Sequence, residues 1–196
     1  MNLPNQLTVA RLILTIFFLL CVFWENPWGL TFALFFFLVA GITDALDGAI
    51  ARRRGLITNF GILMDPLADK ILICSAFIAF VERGWVPGWM VVIVVARELA
   101  ITGLRLLAAS QNVVLAAEGY GKHKTVSQIV AIVVILLQGA GPTWGQVGQM
   151  VFGWEVWGRP WIEWVAQVTL WWALVMTFIS GALYLWKNRA LYLEDV

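Results

Sequence analysis

Four aspartates, Asp44, Asp47, Asp65 and Asp69, lie in or at the ends of stretches that are otherwise apolar. An ionised side chain in hydrocarbon costs about 3 kcal/mol even on lenient scales, so such residues usually face a polar cavity and serve a function. Asp44 and Asp47 close one apolar run, Asp65 and Asp69 open the next, and a polar turn around Arg53–Phe60 joins the two. The two helix ends are therefore neighbours. At about 100° per residue, Asp44, Asp47, Gly48, Ala51 and Arg52 share one helical face, and Gly61, Asp65 and Asp69 step round the next helix by only about 40° each. Four converging anions coexist only if protonated or bridged by cations. All-oxygen donors suit hard cations such as Mg2+ or Mn2+. Four carboxylates suit two such ions roughly 3.5–4 Å apart, an arrangement found in phosphoryl-transfer sites.

Gly48 and Gly61 sit one turn from these carboxylates, where a missing side chain lets a ligand lie against the backbone. Small residues also serve helix packing in membranes, and that reading stands beside the first. Arg52 is placed to hold a phosphate through charge-assisted hydrogen bonds. Arg53 and Arg54 read as topology signals.

The helices that position these groups must cross a bilayer. Of 196 residues, 61% are apolar and 13% charged, with 12 Trp and 12 Phe, and mean hydropathy is +0.84. A water-soluble domain of this size cannot hide so much apolar surface, which excludes a soluble enzyme, a disordered chain and a secreted disulfide scaffold. The net charge of +1 excludes an electrostatic nucleic-acid binder. Cys21 and Cys74 lie in apolar runs with no second ligand at metal spacing and read as packing residues. The N-terminal stretch has no basic n-region and no small-residue cleavage site before Cys21, so it reads as an uncleaved first helix.

Six stretches, about 9–24, 29–50, 61–81, 88–109, 125–141 and 161–186, meet the roughly 20-residue length of a membrane span. The predicted fold is all-α, a single membrane domain over 1–196 with a short N-terminal interfacial helix. A second interfacial helix is expected near Gln149–Trp157 in the Gly/Trp-rich segment before the last span. Nine Lys/Arg fall on the side of the aspartates and two, Arg83 and Arg159, on the other, which puts both termini in the cytoplasm. Trp24, Trp28, Trp85, Trp89, Trp144, Trp154, Trp157, Trp161 and Trp164 fall at or near the outward interface as an aromatic belt.

Two further segments face the aspartate side. Asn5, Thr8 and Arg11 fall within an arc of roughly 120°, suited to lining a nucleotide pocket, or equally to an interfacial anchor with Arg11 snorkelling. Glu98, Thr102 and Arg105 make a polar stripe on the fourth span, with Arg97 turned about 100° away. Gly121-Lys122-His123-Lys124-Thr125 follows, with Gln128 one turn on. Arg105, Lys122 and Lys124 are three cations suited to an acceptor that is a phosphate ester; positive-inside topology would place them there too. Arg97 and Glu98 have the alternative of a buried ion pair.

Residues 44–69 match D-x2-D-G-x2-A-R-x8-G-x3-D-x3-D at every fixed position, which resembles the CDP-alcohol phosphatidyltransferases. That resemblance implies six membrane helices, cleavage of CDP-diacylglycerol, transfer of its phosphatidyl group to an alcohol and release of CMP. It implies that Asp44, Asp47, Asp65 and Asp69 ligate the two divalent cations, that Asp69 takes the proton of the acceptor hydroxyl, and that Gly48, Arg52 and Thr58 contact the donor. With Asn5, Thr8 and Gly61 these make up the expected donor site. The N-x-P-N-x-L-T-x-x-R start, R-E-x3-T-G-x-R at Arg97–Arg105 and G-K-x-K-T-x2-Q at Gly121–Gln128 are similar to the branch whose acceptor is sn-glycerol 3-phosphate and whose product is phosphatidylglycerophosphate. A homodimer in the bacterial plasma (inner) membrane, active site facing the cytoplasm, is the expected setting. The competing readings are the same chemistry with another acceptor, such as inositol phosphate or serine, and an ion-coupled transporter. The transporter fits poorly: its sites usually lie at the midplane between inverted repeats, whereas here no repeat is visible and the aspartates crowd one face.

Overall fold

The computed structural model describes residues 3–54, 59–111, 113, 115 and 119–193, and within these the side chains of 3–4, 45–54, 59–63, 65–66, 119–122, 190 and 193 lie outside the description. Helix dominates: α1 (Leu3–Phe23), α2 (Gly29–Arg54), α3 (Asn59–Glu82), α4 (Gly88–Ser110), α5 (Gly119–Ala140), α6 (Gly145–Phe152), α7 (Trp161–Lys187) and α8 (Ala190–Leu193). A 3-10 turn, Gly141–Trp144, joins α5 to α6, and a hairpin of β1 (Glu155–Val156) and β2 (Arg159–Pro160) leads into α7.

Six of the helices are long because their sequences are. Each has more than 20 residues, so at about 1.5 Å per residue each exceeds a hydrocarbon core of about 30 Å. Among the described residues, three helical runs are both long and apolar enough to cross a membrane: Asn5–Phe23, His123–Phe152 and Trp161–Lys187. The described part of α2 holds an apolar run over Gly29–Asp44. Asp69 and Lys70 in α3, and Arg97, Glu98 and Arg105 in α4, lower the hydropathy of those helices.

Contacts along the helices give their directions. Arg11 meets Asp44, Phe18 meets Phe37 and Trp24 meets Phe32, so α1 and α2 run antiparallel. On α4 and α7, Trp89 meets Trp171, Arg97 meets Ser180 and Arg105 meets Tyr184, so these two run parallel. Both arrangements follow from helices that reverse at each short connection. The core is apolar, with Phe18, Val22, Phe77, Phe80, Ile132 and Leu136 buried. Large apolar side chains such as Leu20, Phe35, Val92 and Phe178 stand exposed on the outer faces, which suits lipid as the surrounding solvent. Between membrane helices it is close packing that holds.

The end away from the aspartates is closed by specific contacts. Arg83 at the end of α3 donates to the Val22 carbonyl at the end of α1, at 2.6 Å from Nη2 and 3.1 Å from Nε. A cation there satisfies a carbonyl that the helix cannot. The Trp144 indole donates to Thr31 Oγ1 at 2.9 Å, and those of Trp161 and Trp164 donate to the Val151 and Val156 carbonyls.

Two expectations change. No separate interfacial helix stands at the N-terminus; α1 runs unbroken from Leu3. Pro4 sits in the first turn, where it costs no hydrogen bond, and the polar residues Asn5 and Thr8 continue the same helix. The expected helix near Gln149–Trp157 lies earlier, at Gly145–Phe152, and the chain then forms the hairpin. Its turn residues, Trp157 (φ 52°) and Gly158 (φ 74°), are both left-handed, as a two-residue hairpin turn demands and a helix forbids.

Gly148 on α6 lies against the Gly141 carbonyl oxygen so closely that a Cβ would collide with it. Backbone atoms do not yield as a flexible side chain does. Gly148→Ala is therefore expected to push α6 off the 3-10 turn at a cost of about 1–3 kcal/mol. Gly103→Ala on α4, where an added Cβ meets nothing within 4 Å, should not destabilise. Thermal unfolding in detergent, followed by tryptophan fluorescence, checks the pair; equal midpoints would mean that the cap does not depend on that approach.

Candidate active site

Helices α1 to α5 and α7 bring charged and polar residues together at one end. Arg11 on α1, wholly buried, pairs with Asp44 of α2 at 2.6 Å, while the Asp44 side chain stays 45% exposed. One carboxylate thus faces a buried cation on one side and open space on the other. Asp69 on α3 is half-buried. Among the described residues, the charges whose fields reach it include those of Asp44, Lys124, Arg11 and Glu98. Asp44 and Asp69, from adjacent helices in sequence, therefore share one electrostatic environment, as their spacing predicts. They are oxygen donors of like charge, and that donor set fits a hard divalent cation. Among the described residues no group of three or more His, Cys, Asp or Glu is gathered. The side chains of Asp47 and Asp65, half of the expected ligand set, lie outside the description.

A second cluster adjoins the first. Glu98 of α4 is buried and accepts from Lys124 of α5, itself buried, and from Arg97 Nη1 at 3.3 Å, both through Oε1. Arg97 Nη2 also donates to Ser180 Oγ of α7 at 3.3 Å. Lys70, next to Asp69, donates to Thr102 Oγ1, and the Thr102 hydroxyl donates to the Glu98 carbonyl at 2.7 Å. Gln128 of α5, wholly buried, donates to Thr177 Oγ1 of α7 at 2.9 Å. Arg105 is exposed; its guanidinium lies 5.6 Å from the centroid of the Tyr184 ring, and its Nε donates to the Tyr184 hydroxyl at 3.3 Å. Buried ions persist only when paired, and the ions of this cluster find partners across four helices, α3, α4, α5 and α7.

The expected residues are thus placed unequally. Asp44, Asp69, Lys124 and Arg105 stand at one end of the molecule, with Lys124 among the charges around Asp69 and Arg105 among those around Lys70. Thr8 is wholly buried and Asn5 half-buried on α1. Gly48 and Arg52 lie on α2, Gly61 and Asp65 on α3 and Lys122 on α5, with their side chains outside the description, and Thr58 lies outside it altogether. Arg11 does not snorkel to the surface; it turns inward to Asp44. Arg97 and Glu98 do form the buried pair. Sequence reasoning passed over Lys70, Tyr184 and Ser180. Lys70 carried the clearest signal: it is a charge inside an apolar stretch, one residue after an aspartate. Ser180 and Tyr184 carried none, because a serine or tyrosine on an apolar helix is ordinary.

With the geometry in place, the comparisons assign the family. The CDP-alcohol phosphatidyltransferase model matches residues 1–179, and the chain belongs to that family. It is similar to the CDP-diacylglycerol–glycerol-3-phosphate 3-phosphatidyltransferase of Bacillus subtilis, with 36% identity over 95% of each chain. The enzyme of the same name from Rickettsia felis is 31% identical over 93% of each chain. A probable phosphatidylglycerophosphate synthase of Mycobacterium tuberculosis is 42% identical over 72% of this chain and 68% of its own.

The Thr102 hydroxyl joins Lys70 to α4, and a hydrogen bond with a charged partner contributes about 1.5–3 kcal/mol. Thr102→Val, which keeps the shape and loses the hydroxyl, is expected to lower stability by an amount of that order. Thr102→Ser should retain most of it. Chemical or thermal unfolding of the three proteins in one detergent decides; a valine variant as stable as the threonine protein would show that Lys70 finds an equivalent partner elsewhere.

Proposed function

We propose that this chain transfers the phosphatidyl group of CDP-diacylglycerol to sn-glycerol 3-phosphate, giving phosphatidylglycerophosphate and CMP. The observation that carries the reading is the meeting of two unlike charge sets. Asp69, which could accept a proton, lies within the field of Lys124, beside a cluster holding Lys70 and Arg105. A phosphate-bearing alcohol needs both: cations for its phosphate and a carboxylate for its hydroxyl proton. The names of the relatives support the same acceptor.

In this reading Asp69 takes the proton from the acceptor hydroxyl. The freed oxygen attacks the phosphorus that carries diacylglycerol, the bond from that phosphorus to the bridging oxygen breaks, and CMP leaves with the electron pair. General-base assistance of this kind contributes about 10²–10⁴-fold in rate. Asp44, Asp47, Asp65 and Asp69 would hold two divalent cations, Mg2+ or Mn2+, which neutralise charge on the pyrophosphate. Asn5, Thr8, Gly48, Arg52, Thr58 and Gly61 would bind the donor; Arg105, Lys122 and Lys124 would bind the glycerol phosphate. Arg11 holds Asp44 from behind.

The chain works as one domain over 1–196 with six spans, α1 to α5 and α7, both termini in the cytoplasm and the site at the cytoplasmic mouth. That placement gives soluble acceptor and nucleotide access from water and the two acyl chains access from lipid. The setting is the plasma (inner) membrane of a bacterium, as a homodimer.

CMP release from CDP-diacylglycerol in detergent micelles tests the reaction. It should require glycerol 3-phosphate and a divalent cation and stop on chelation. Release with inositol phosphate or serine instead would overturn the acceptor, and no release from folded protein would overturn the reaction. Asp69→Asn is expected to lower turnover by at least about 100-fold; turnover at the unmodified rate would remove Asp69 as the base. Arg105→Ala should raise KM for glycerol 3-phosphate by about tenfold, the value of one charge-assisted contact, with KM for CDP-diacylglycerol little changed. Equal rises would return Arg105 to a structural role.

A further inference from the structure

Resting on the acceptor reading above, we propose that Glu98 is a positioning residue for acceptor binding, fixing the Lys124 ammonium at the aspartate end of the bundle while Arg97, bonded to Ser180 of α7, offsets its charge. A carboxylate next to a phosphate subsite is at first sight unfavourable, since it repels the ligand. The contacts resolve the conflict. Glu98 and Lys124 are both nearly inaccessible, at 5% and 4% exposure, so neither can exchange its partner for water. Lys124 and Arg97 share a single oxygen, Glu98 Oε1. The three formal charges, one negative and two positive, sum to +1, so the group attracts an anion although a carboxylate stands at its centre.

An ammonium has three N–H donors, and Glu98 needs only one of them to aim the group. A lysine alone is a flexible point charge on a four-carbon stem; paired with Glu98 it has one position. Glu98 is in turn held at its backbone, where the Thr102 hydroxyl donates to its carbonyl.

The support reaches α7. Arg97 donates to Ser180 Oγ, and its side chain lies across Gly181 so closely that a Cβ there would come within 2.7 Å of Arg97 Cγ. Gly181 is the gap through which Arg97 reaches Glu98. These contacts make a chain from Gly181 and Ser180 through Arg97 and Glu98 to Lys124.

Steady-state CMP release, with each substrate varied in turn, tests the proposal. Glu98→Gln keeps the size and removes the charge. It is expected to raise KM for glycerol 3-phosphate by about tenfold, the loss of one oriented charged contact, and to leave KM for CDP-diacylglycerol within about twofold. Because Glu98 acts through Lys124, adding E98Q to a Lys124→Ala protein should bring no further rise. Gly181→Ala, which displaces Arg97, should raise the same KM by a smaller factor, about threefold. If E98Q does not accumulate in folded form, Glu98→Asp replaces it, drawing the carboxylate back by one methylene, and should raise KM for glycerol 3-phosphate selectively. Equal rises in both KM values, additive effects of E98Q and Lys124→Ala, or an E98D protein with unchanged KM would each overturn the proposal. Failure of the unmodified protein to use glycerol 3-phosphate would instead overturn the acceptor reading on which it rests.

Discussion

The constraint on which this structure depends is that an ion withdrawn from water must meet a counter-ion where it lies. Arg11 is wholly buried on an apolar helix and is held against Asp44. Glu98 is buried and is held by Lys124 and Arg97. Each pair joins two helices or more, so charge fixes how the helices stand at this end, while Phe18, Phe77, Phe80 and Leu136 fix it through close packing further along. The two ends of the bundle are built on different physics. One is paired ions; the other is tryptophan indoles donating to carbonyls and a hydroxyl, and Arg83 capping the last turn of α1.

Much of this was legible in the sequence because hydrocarbon leaves few options. The six apolar stretches coincide with α1 to α5 and α7 to within a few residues, except that α1 begins earlier and α2 and α5 reach beyond their apolar parts. Helical phase placed Glu98 and Thr102 on one stripe, and both join the same cluster. Phase did not show which way a long side chain turns. Arg11 was open to snorkelling, and what draws it inward is a carboxylate on another helix, which one helix read alone cannot reveal. Arg97, about 100° from Glu98, still reaches it, because a side chain of that length spans the gap. The hairpin after α6 was missed for a different reason. Its Trp157-Gly158 turn lacks the usual Asn-Gly or Asp-Gly pair, and a segment rich in tryptophan beside an interface invites a helical reading.

The two halves of the site sit on different parts of the chain. The expected donor and metal residues come from α1, α2, the connection after it and α3, and all lie between Asn5 and Asp69. The proposed acceptor cations Arg105 and Lys124 come from α4 and α5, backed by Ser180, Gly181 and Tyr184 of α7. Asp69 and Lys70, adjacent in sequence, are where the two halves touch: one lies in the field of Asp44, the other in that of Arg105. The proposed base fits that junction, since in the proposed reaction its proton comes from the acceptor while the phosphorus attacked belongs to the donor.

This division explains why the acceptor is harder to read than the chemistry. The aspartates, glycines and Arg52 recur at fixed spacing within 26 consecutive residues, Asp44 to Asp69, because helix geometry ties them to one another. The acceptor side draws on single residues from three helices, and the spacing between helices carries no chemical rule. The family match ends at residue 179, just before Ser180, Gly181 and Tyr184, on which Arg97 and Arg105 rest. The supporting residues show themselves physically: a buried carboxylate shared by two cations, and a glycine packed against the stem of an arginine.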